Sequence, residues 1–156
     1  MPKVGYSNPK DTDYTARAIG REKKVSPKHC MEICSAIRGM EVTKAKAYLI
    51  EVIALRKPIK YRRYNRFTSH KRGMGPARFP QKACRAVLDT IKNAQANADH
   101  NKNLDPDDMR IITAAAHLGR KIPGYISRAH GSSSPMDERT VNIEIVLESL
   151  DKEEEE

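Results

Sequence analysis

The residues with the clearest chemical potential form a run of cations between Arg56 and Arg85. From position 52 to position 88 the chain contains eleven Lys or Arg residues and no acidic residue. Positive charges at this density repel one another, so the segment needs an anion beside it. A nucleic-acid phosphate backbone is the anion that suits it best. We call residues 56–85 the basic segment and predict that it binds phosphates.

Aromatic side chains lie among these cations. Tyr61, Tyr64 and Phe67 are interleaved with the charges, and Tyr64 or Phe67 could stack on an unpaired base while Arg and Lys contact phosphates. Four Gly or Pro residues between positions 73 and 80 prevent a continuous helix. An extended basic loop over about residues 56–80 is therefore predicted, and its irregular backbone favours RNA over DNA as the ligand.

Other residue groups could indicate a metal site or an enzyme. His29, Cys30 and Cys34 lack the paired spacing of a zinc site, and packing along one helix face explains them better. His117 and His130 could act as general bases, but no nucleophile or carboxylate pair accompanies them. The prediction is that the chain has no catalytic residue, no metal site and no cofactor.

Three helices are predicted, two before the extended basic loop and one after it. Ser26 and Pro27 form a helix start, and Gly39 ends that helix. A second helix spans about residues 43–55, and a third begins at Pro80 and has an apolar face about four turns long. The first two helices could also form a helix-turn-helix DNA reader, but the second carries few cations, so packing in a core is preferred.

The remaining elements have the period of β-strands. One short strand is permitted within residues 13–25, and alternation returns after Met109, with Ile111, Thr113 and Ala115 on one face. Residues 141–147 alternate with a clean one-sided apolar face. These arms are predicted to pair as a long hairpin over about residues 109–147. A bare hairpin of that length is marginal in water, which indicates a partner.

Length and composition agree with a small core. The chain has 156 residues, a net charge of +9, 38 % hydrophobic and 5 % aromatic residues, and three cysteines at irregular spacing. These values predict one domain in a reducing compartment, with no signal peptide and no membrane span. Its globular core is expected at about residues 13–108 and 140–150, followed by an acidic tail at 151–156.

Several short motifs follow one another in a recognisable order. They are SPKH at position 26, IRGM at 37, RRYNR at 62, SHKRGMGPARFPQKA at 69, NAQANA at 93, ITAAAH at 112, RAHG at 128, and ERT followed by NI at 138. Together they resemble the archaeal form of the large-subunit ribosomal protein L-twenty-two family, whose eukaryotic relatives are called L-seventeen. The resemblance covers nearly the whole chain.

The resemblance implies an α+β fold in which three helices pack on a small antiparallel sheet, with a long protruding β-hairpin and a basic extended loop. It implies a structural protein of the large ribosomal subunit in the cytoplasm. Such a protein binds large-subunit ribosomal RNA, supports its assembly, and lines the nascent-polypeptide exit tunnel with its hairpin. The implied partners are that RNA, neighbouring ribosomal proteins and the nascent chain; no membrane, enzymatic activity or cofactor is implied.

The basic segment and the resemblance together predict a set of RNA-binding positions. These are Arg56, Lys57, Lys60, Arg62, Arg63, Arg66, His70, Lys71, Arg72, Arg78, Lys82, Arg120, Lys121, Arg128, His130 and Arg139. The predicted hairpin tip, facing the tunnel, consists of Arg128, Ala129, His130, Gly131, Ser132 and Ser133. The returning arm departs from the family, because residues 132–134 and 136–138 lack the usual cations.

Two other functions stay open on sequence grounds. A DNA-binding regulator would use the helix pair between Ser26 and Leu55, and would give symmetric footprints on duplex DNA. An RNA-processing enzyme would use His117 or His130, and one His substitution would abolish its turnover.

Overall fold

The computed structural model describes residues 5–7 and 13–150. Its elements in chain order are β1 (Thr15–Lys23), α1 (Pro27–Ile37), α2 (Val42–Ile53), β2 (Ile59–Lys60), β3 (His70–Lys71), β4 (Gly75–Arg78), α3 (Gln81–Lys102), β5 (Met109–Ile122), β6 (Tyr125–Ser127), a short 3-10 turn (Ala129–Gly131), β7 (Ser133–Pro135) and β8 (Glu138–Ser149). The predicted α+β class is confirmed. The predicted acidic tail at 151–156 and residues 1–4 and 8–12 lie outside the described residues.

The main sheet has three antiparallel strands in the order β1-β8-β5. The three helices cover one face: α1 packs against β5, α3 packs against β1, and α2 packs against α3. The core between these layers contains fully buried side chains such as Ile33, Leu49, Ile91 and Ile143. This arrangement leaves the cations of the basic segment and the far end of β5 and β8 outside the core.

Strand β8 is buried on both faces, which the sequence did not indicate. Its apolar side chains enter the core as predicted, but Asn142 and Glu144 on the other face are only 7 % and 1 % exposed. Their polar atoms have partners there, because the amide of Glu22 donates to Asn142 and both the amide and hydroxyl of Ser7 donate to Glu144. Contacts from Ser7 and Glu22 therefore help to cover this second face of β8, which sequence alternation alone would leave exposed.

The predicted alternation along β5 is wrong after Ile111. The pairing register with β8 shifts between Ile111 and Thr113, and the next buried residue is Ala114 rather than Thr113 or Ala115. A β-bulge adds one residue to one of two paired strands, so the residues after it point to the opposite faces of the sheet. The bulge depends on how β5 pairs with β8, and therefore the alternation within β5 alone could not reveal it.

Helix α3 is longer than predicted. It spans 22 residues and ends where Asn103 adopts a left-handed conformation with φ of 53°. Ala94 and Ala98 lie on its buried face as predicted, Gln95 is buried beside them, and the side-chain amide of Asn97 donates to the carbonyl of Arg17 on β1. These contacts stabilise the end of the helix, which continues through Lys102, four residues beyond the predicted apolar face.

The two long strands form the arms of a hairpin. Pairing of β5 with β8 extends from Met109–Ser149 to Ile122–Glu138, and β6 pairs with β7 beyond it. The outer part of both arms is largely exposed, and the chain reverses at His130, where φ is 58°.

Within the described residues, no helix is long and apolar enough to cross a membrane.

Candidate nucleic-acid interface

The basic segment is more ordered than an extended loop. It contains a small antiparallel sheet in the order β2-β4-β3, with Ile59 opposite Arg78 and His70 opposite Pro76. Ile59, Tyr61 and Ala77 are buried, so the segment contributes apolar side chains to the protein interior. The alternation of these buried residues with exposed cations gives the segment one inward and one outward side.

Glu32 on α1 fixes the position of the arginine-rich turn. Its carboxylate accepts hydrogen bonds from three consecutive backbone N–H groups: those of Arg62 at 3.0 Å, Arg63 at 2.8 Å and Tyr64 at 2.7 Å. The residue is only 4 % exposed. Hydrogen bonds to a buried charged acceptor are stronger than those between neutral groups. The only buried acid on α1 therefore binds the backbone of the turn and leaves the two arginine side chains exposed.

A second contact joins the segment to the start of α1. The hydroxyl of Tyr61 lies 2.5 Å from Nδ1 of His29, and Tyr61 is only 2 % exposed. Burial raises the pKa of Tyr61, so its hydroxyl remains a donor. Burial, followed by the charge of Arg78, lowers the pKa of His29, which favours the neutral ring that accepts this bond. Tyr61 is thus a structural residue rather than a base-stacking one.

All sixteen positions predicted to bind RNA are exposed. Eleven of them belong to the basic segment, including His70, and the other five lie on the hairpin. Two clefts connect these groups to other elements. Lys82 and Arg139 line one of about 720 Å³, together with Lys24. Arg62 and Arg63 line another of about 340 Å³, together with Arg38.

Arg38 and Lys24 are cations that the sequence argument missed. The guanidinium of Arg38 donates to the carbonyl of Ala114 at 2.8 Å, which places this charge between α1 and β5. Lys24 lies 3.3 Å from Glu138 on the returning arm. Both lie outside the basic segment, Arg38 directly after α1 and Lys24 at the end of the charged run at residues 21–24, so only the tertiary structure brings them beside the predicted cations.

Two acids of the returning arm, Asp137 and Glu138, form ion pairs with lysines of the same chain. Asp137 lies 2.7 Å from Nζ of Lys121 on the opposite arm. The hydrogen bond from Lys121 is the main cause that lowers the pKa of Asp137, so its carboxylate is ionised at neutral pH. The pairing partly neutralises Lys121, one of the predicted RNA-binding residues.

The hairpin tip is a small hydrogen-bonded turn. The amide of Arg128 donates to the carbonyl of Ser132 at 2.8 Å, and the hydroxyl of Ser132 donates to the carbonyl of Ala129. The guanidinium Nε of Arg128 lies 3.3 Å from the hydroxyl of Ser134. These bonds close the tip on itself and leave the imidazole of His130 exposed.

The histidines and cysteines have structural surroundings. His117 lies 3.0 Å from the buried carboxylate of Glu144, which Ser7 also contacts. Cys30, Cys34 and Cys84 are buried free thiols, and burial raises the pKa of each to about 12. In the part of the chain that the structure describes, no group of three or more His, Cys, Asp or Glu residues could hold a metal ion.

Comparison with known proteins identifies the family. The family described as Ribosomal protein L22p/L17e matches residues 18–148. The chain belongs to this family. The resemblance based on the sequence motifs is thereby confirmed, and the match includes α1, the basic segment and the whole hairpin.

Archaeal relatives in the L22p/L17e family are similar over almost their entire length. A protein from Methanopyrus kandleri named large ribosomal subunit protein uL22 is 42 % identical over 158 aligned residues, covering 95 % of this chain and 99 % of the relative. A protein of the same name from Methanothrix thermoacetophila is 44 % identical, covering 94 % and 97 %. A third, from Methanococcus aeolicus, is 37 % identical and covers 96 % and 99 %.

Proposed function

We propose that this chain is a structural constituent of the large ribosomal subunit in the cytoplasm. It binds large-subunit ribosomal RNA through the basic segment and the hairpin, and it supports the folding of that RNA. The hairpin lines the nascent-polypeptide exit tunnel. Family membership and the names of the archaeal relatives support the subunit. The RNA contacts are inferred from the charge and exposure of the predicted residues, and the tunnel location is what the family resemblance implies.

The observation that carries the RNA-binding proposal is the set of three hydrogen bonds from the backbone of residues 62–64 to Glu32. Glu32 is buried and holds the backbone of the basic segment in place, while the side chains of Arg62 and Arg63 face solvent. A backbone that is already ordered loses less conformational entropy on binding than a mobile one. The segment is therefore a preorganised phosphate-binding surface.

The hairpin proposal rests on the length and exposure of the paired arms. Five large apolar side chains on the outer part of the hairpin are exposed, and such a group, unlike a single exposed residue, indicates an interaction site: Leu118, Ile122, Tyr125, Ile126 and Met136. Arms with exposed apolar residues and exposed cations fit a location between RNA and other macromolecules. The neighbouring subunit proteins and the nascent chain are the proposed additional partners.

Salt-dependent binding tests the RNA contact. The full chain is titrated with large-subunit ribosomal RNA at several KCl concentrations, and the triple variant R62Q/R63Q/R66Q is compared with it. If about eight phosphates are neutralised, log K should fall against log salt with a slope of about −6 to −7. The triple variant should flatten the slope by about 2, because three phosphate contacts are lost.

A control variant removes the same charge from other elements. The triple variant R21Q/K44Q/K92Q neutralises three exposed cations on β1, α2 and α3. Its slope should change much less than that of R62Q/R63Q/R66Q. Equal slopes for wild type and R62Q/R63Q/R66Q would show that the basic segment does not contact phosphates.

Crosslinking from position 130 tests the tunnel location. A photoreactive amino acid replaces His130 in cells, and crosslinked RNA and protein are identified after purification of ribosomes. Crosslinks to large-subunit ribosomal RNA and to nascent chains are expected. Crosslinks confined to DNA or to scattered messenger RNA would contradict the proposal.

A further inference from the structure

Among the residues that the structure describes, Phe67 is the most exposed of the large apolar side chains. Its relative exposure is 89 %, whereas Tyr61 is buried and Tyr64 is partly buried with its hydroxyl 3.3 Å from Sδ of Met31. Of the aromatic residues among the cations of positions 56–72, Phe67 alone therefore presents a free ring face to a ligand.

The backbone at Phe67 is left-handed, with φ of 57°. A bulky side chain rarely adopts this conformation, and Gly or Asn would adopt it more easily. The guanidinium of Arg78 donates to the carbonyl of Phe67 at 2.9 Å, and the amide of Thr68 donates to the carbonyl of Asn65 at 3.0 Å. The turn is thus fixed by its neighbours, and it displays a ring that the backbone itself does not favour.

One cation lies beside this ring. The guanidinium carbon of Arg66 lies 5.3 Å from the centroid of the Phe67 ring, and no acidic residue occurs between positions 52 and 88. An exposed ring next to a guanidinium can bind a nucleobase by its flat face while the cation contacts the adjoining phosphate. An unpaired base has both faces accessible, unlike a base inside a duplex.

We propose that Phe67 is a base-stacking residue that binds one unpaired nucleobase of the RNA. This inference rests on the proposed RNA-binding function and assigns a ligand class to one position within it. A protein pocket fits the observations less well, because burying the ring in an apolar pocket would also remove Arg66 and its neighbours from water.

Three substitutions separate stacking from other roles of Phe67. F67N removes the ring but suits the left-handed backbone, so the variant should fold at least as well as wild type. F67L keeps an apolar side chain without an aromatic face, and F67Y keeps the aromatic face. The full chain with each substitution is titrated with large-subunit ribosomal RNA, and its folding is checked by circular dichroism and urea unfolding.

The expected result is a loss of affinity with an unchanged salt dependence. F67N and F67L should bind about 5- to 100-fold more weakly, and F67Y should bind like wild type. The slope of log K against log salt should stay that of wild type, since no charge has been removed. Equal affinity of wild type and F67N would overturn the stacking proposal.

Ultraviolet crosslinking identifies the ligand. Irradiation of the wild-type complex should join Phe67 to a nucleotide whose base is unpaired, detected by mass spectrometry of the digested complex. In purified ribosomes, a crosslink from Phe67 only to a protein would overturn the proposal. Failure of the wider RNA-binding proposal has a different signature, because the wild type would then bind without the expected salt dependence.

Discussion

The hydroxyl of Tyr61 and Nδ1 of His29 are 2.5 Å apart and join the basic segment to the first turn of α1. The rings also meet edge to face, with centroids 5.7 Å apart. Burial and the charge of Arg78 lower the pKa of His29, which favours the neutral imidazole, and Nδ1 of that ring accepts the Tyr61 hydroxyl when the proton is on Nε2. The attachment of the segment to the core is therefore coupled to the protonation of one histidine.

Stability should decrease as pH falls below the ordinary pKa of His29. Burial lowers the pKa of His29 from its usual 6.5, so the unfolded chain binds this proton more readily than the folded protein does. The contribution is present above pH 6.5 and is lost as pH falls from there through the lower folded pKa. Urea unfolding of wild type between pH 7.5 and 5 measures it.

The variant H29N provides the control for this pH dependence. The Asn carbonyl can accept the hydroxyl of Tyr61 but has no proton to gain. The free energy of unfolding of H29N should fall less steeply over the same pH range. Parallel curves for the two proteins would exclude His29 as the cause.

Replacing Glu32 by Gln should weaken both folding and RNA binding. One side-chain oxygen is lost as an acceptor, and the new NH₂ group faces a backbone N–H, so at least one buried donor is left without a partner. The expected cost is about 1–3 kcal/mol in the free energy of unfolding. E51Q is the control. Glu51 is exposed, and its carboxylate lies 3.7 Å from Nζ of Lys57, an exposed ion pair that contributes little to stability.

The RNA affinity of E32Q distinguishes two effects of Glu32, its negative charge and its role in positioning the backbone of residues 62–64. Removing a negative charge should by itself strengthen binding to a polyanion, whereas loss of the backbone position should weaken it. We expect weaker binding of E32Q and unchanged or slightly stronger binding of E51Q in the same titration. Stronger binding of E32Q would mean that Glu32 acts only through its charge.

Replacing Asp137 by Asn should strengthen RNA binding. Asp137 lies 2.7 Å from Nζ of Lys121, and its removal leaves that cation available for a phosphate. The slope of log K against log salt should become steeper by up to about 0.9. D89N removes the same charge from the exposed side of α3 and should leave the slope unchanged. Equal slopes for D137N and wild type would place Lys121 away from the RNA.

Replacing Gly119 by Ala should destabilise the base of the hairpin. A Cβ there would lie 2.5 Å from Oγ1 of Thr140 and 3.1 Å from its carbonyl carbon. Thr140 is 3 % exposed and its hydroxyl donates to the carbonyl of Arg120, so it has little freedom to move. We expect a loss of about 1–3 kcal/mol by urea unfolding. G5A, where nothing lies within 4 Å of the added carbon, should be close to neutral.

The sequence predicts the helices and the cationic surface because those signals are local. Ser26 and Pro27 mark the start of α1, and the density of cations marks the basic segment, without reference to any distant residue. The motifs also identified the family. Local patterns were therefore sufficient for the fold class and for the exposure of the sixteen predicted RNA-binding positions.

Features created by tertiary contacts could not be predicted in the same way. Glu32 occurs in an amphipathic helix like any surface acid, and its partners are backbone groups about thirty residues away. Glu144 alternates with apolar residues as an exposed strand residue would, yet Ser7 and His117 cover it. The bulge after Ile111 depends on how β5 pairs with β8. None of these has a signal within its own segment.

The contact between Glu32 and residues 62–64 has a consequence for how this surface can change over time. The carboxylate binds main-chain N–H groups, which every residue except proline supplies. Side chains at these three positions can therefore be exchanged without loss of the attachment. Glu32 on α1 sets where the basic segment lies, and the side chains of the segment set its charge. Substitutions among those side chains can therefore change the affinity for RNA while the backbone keeps its position.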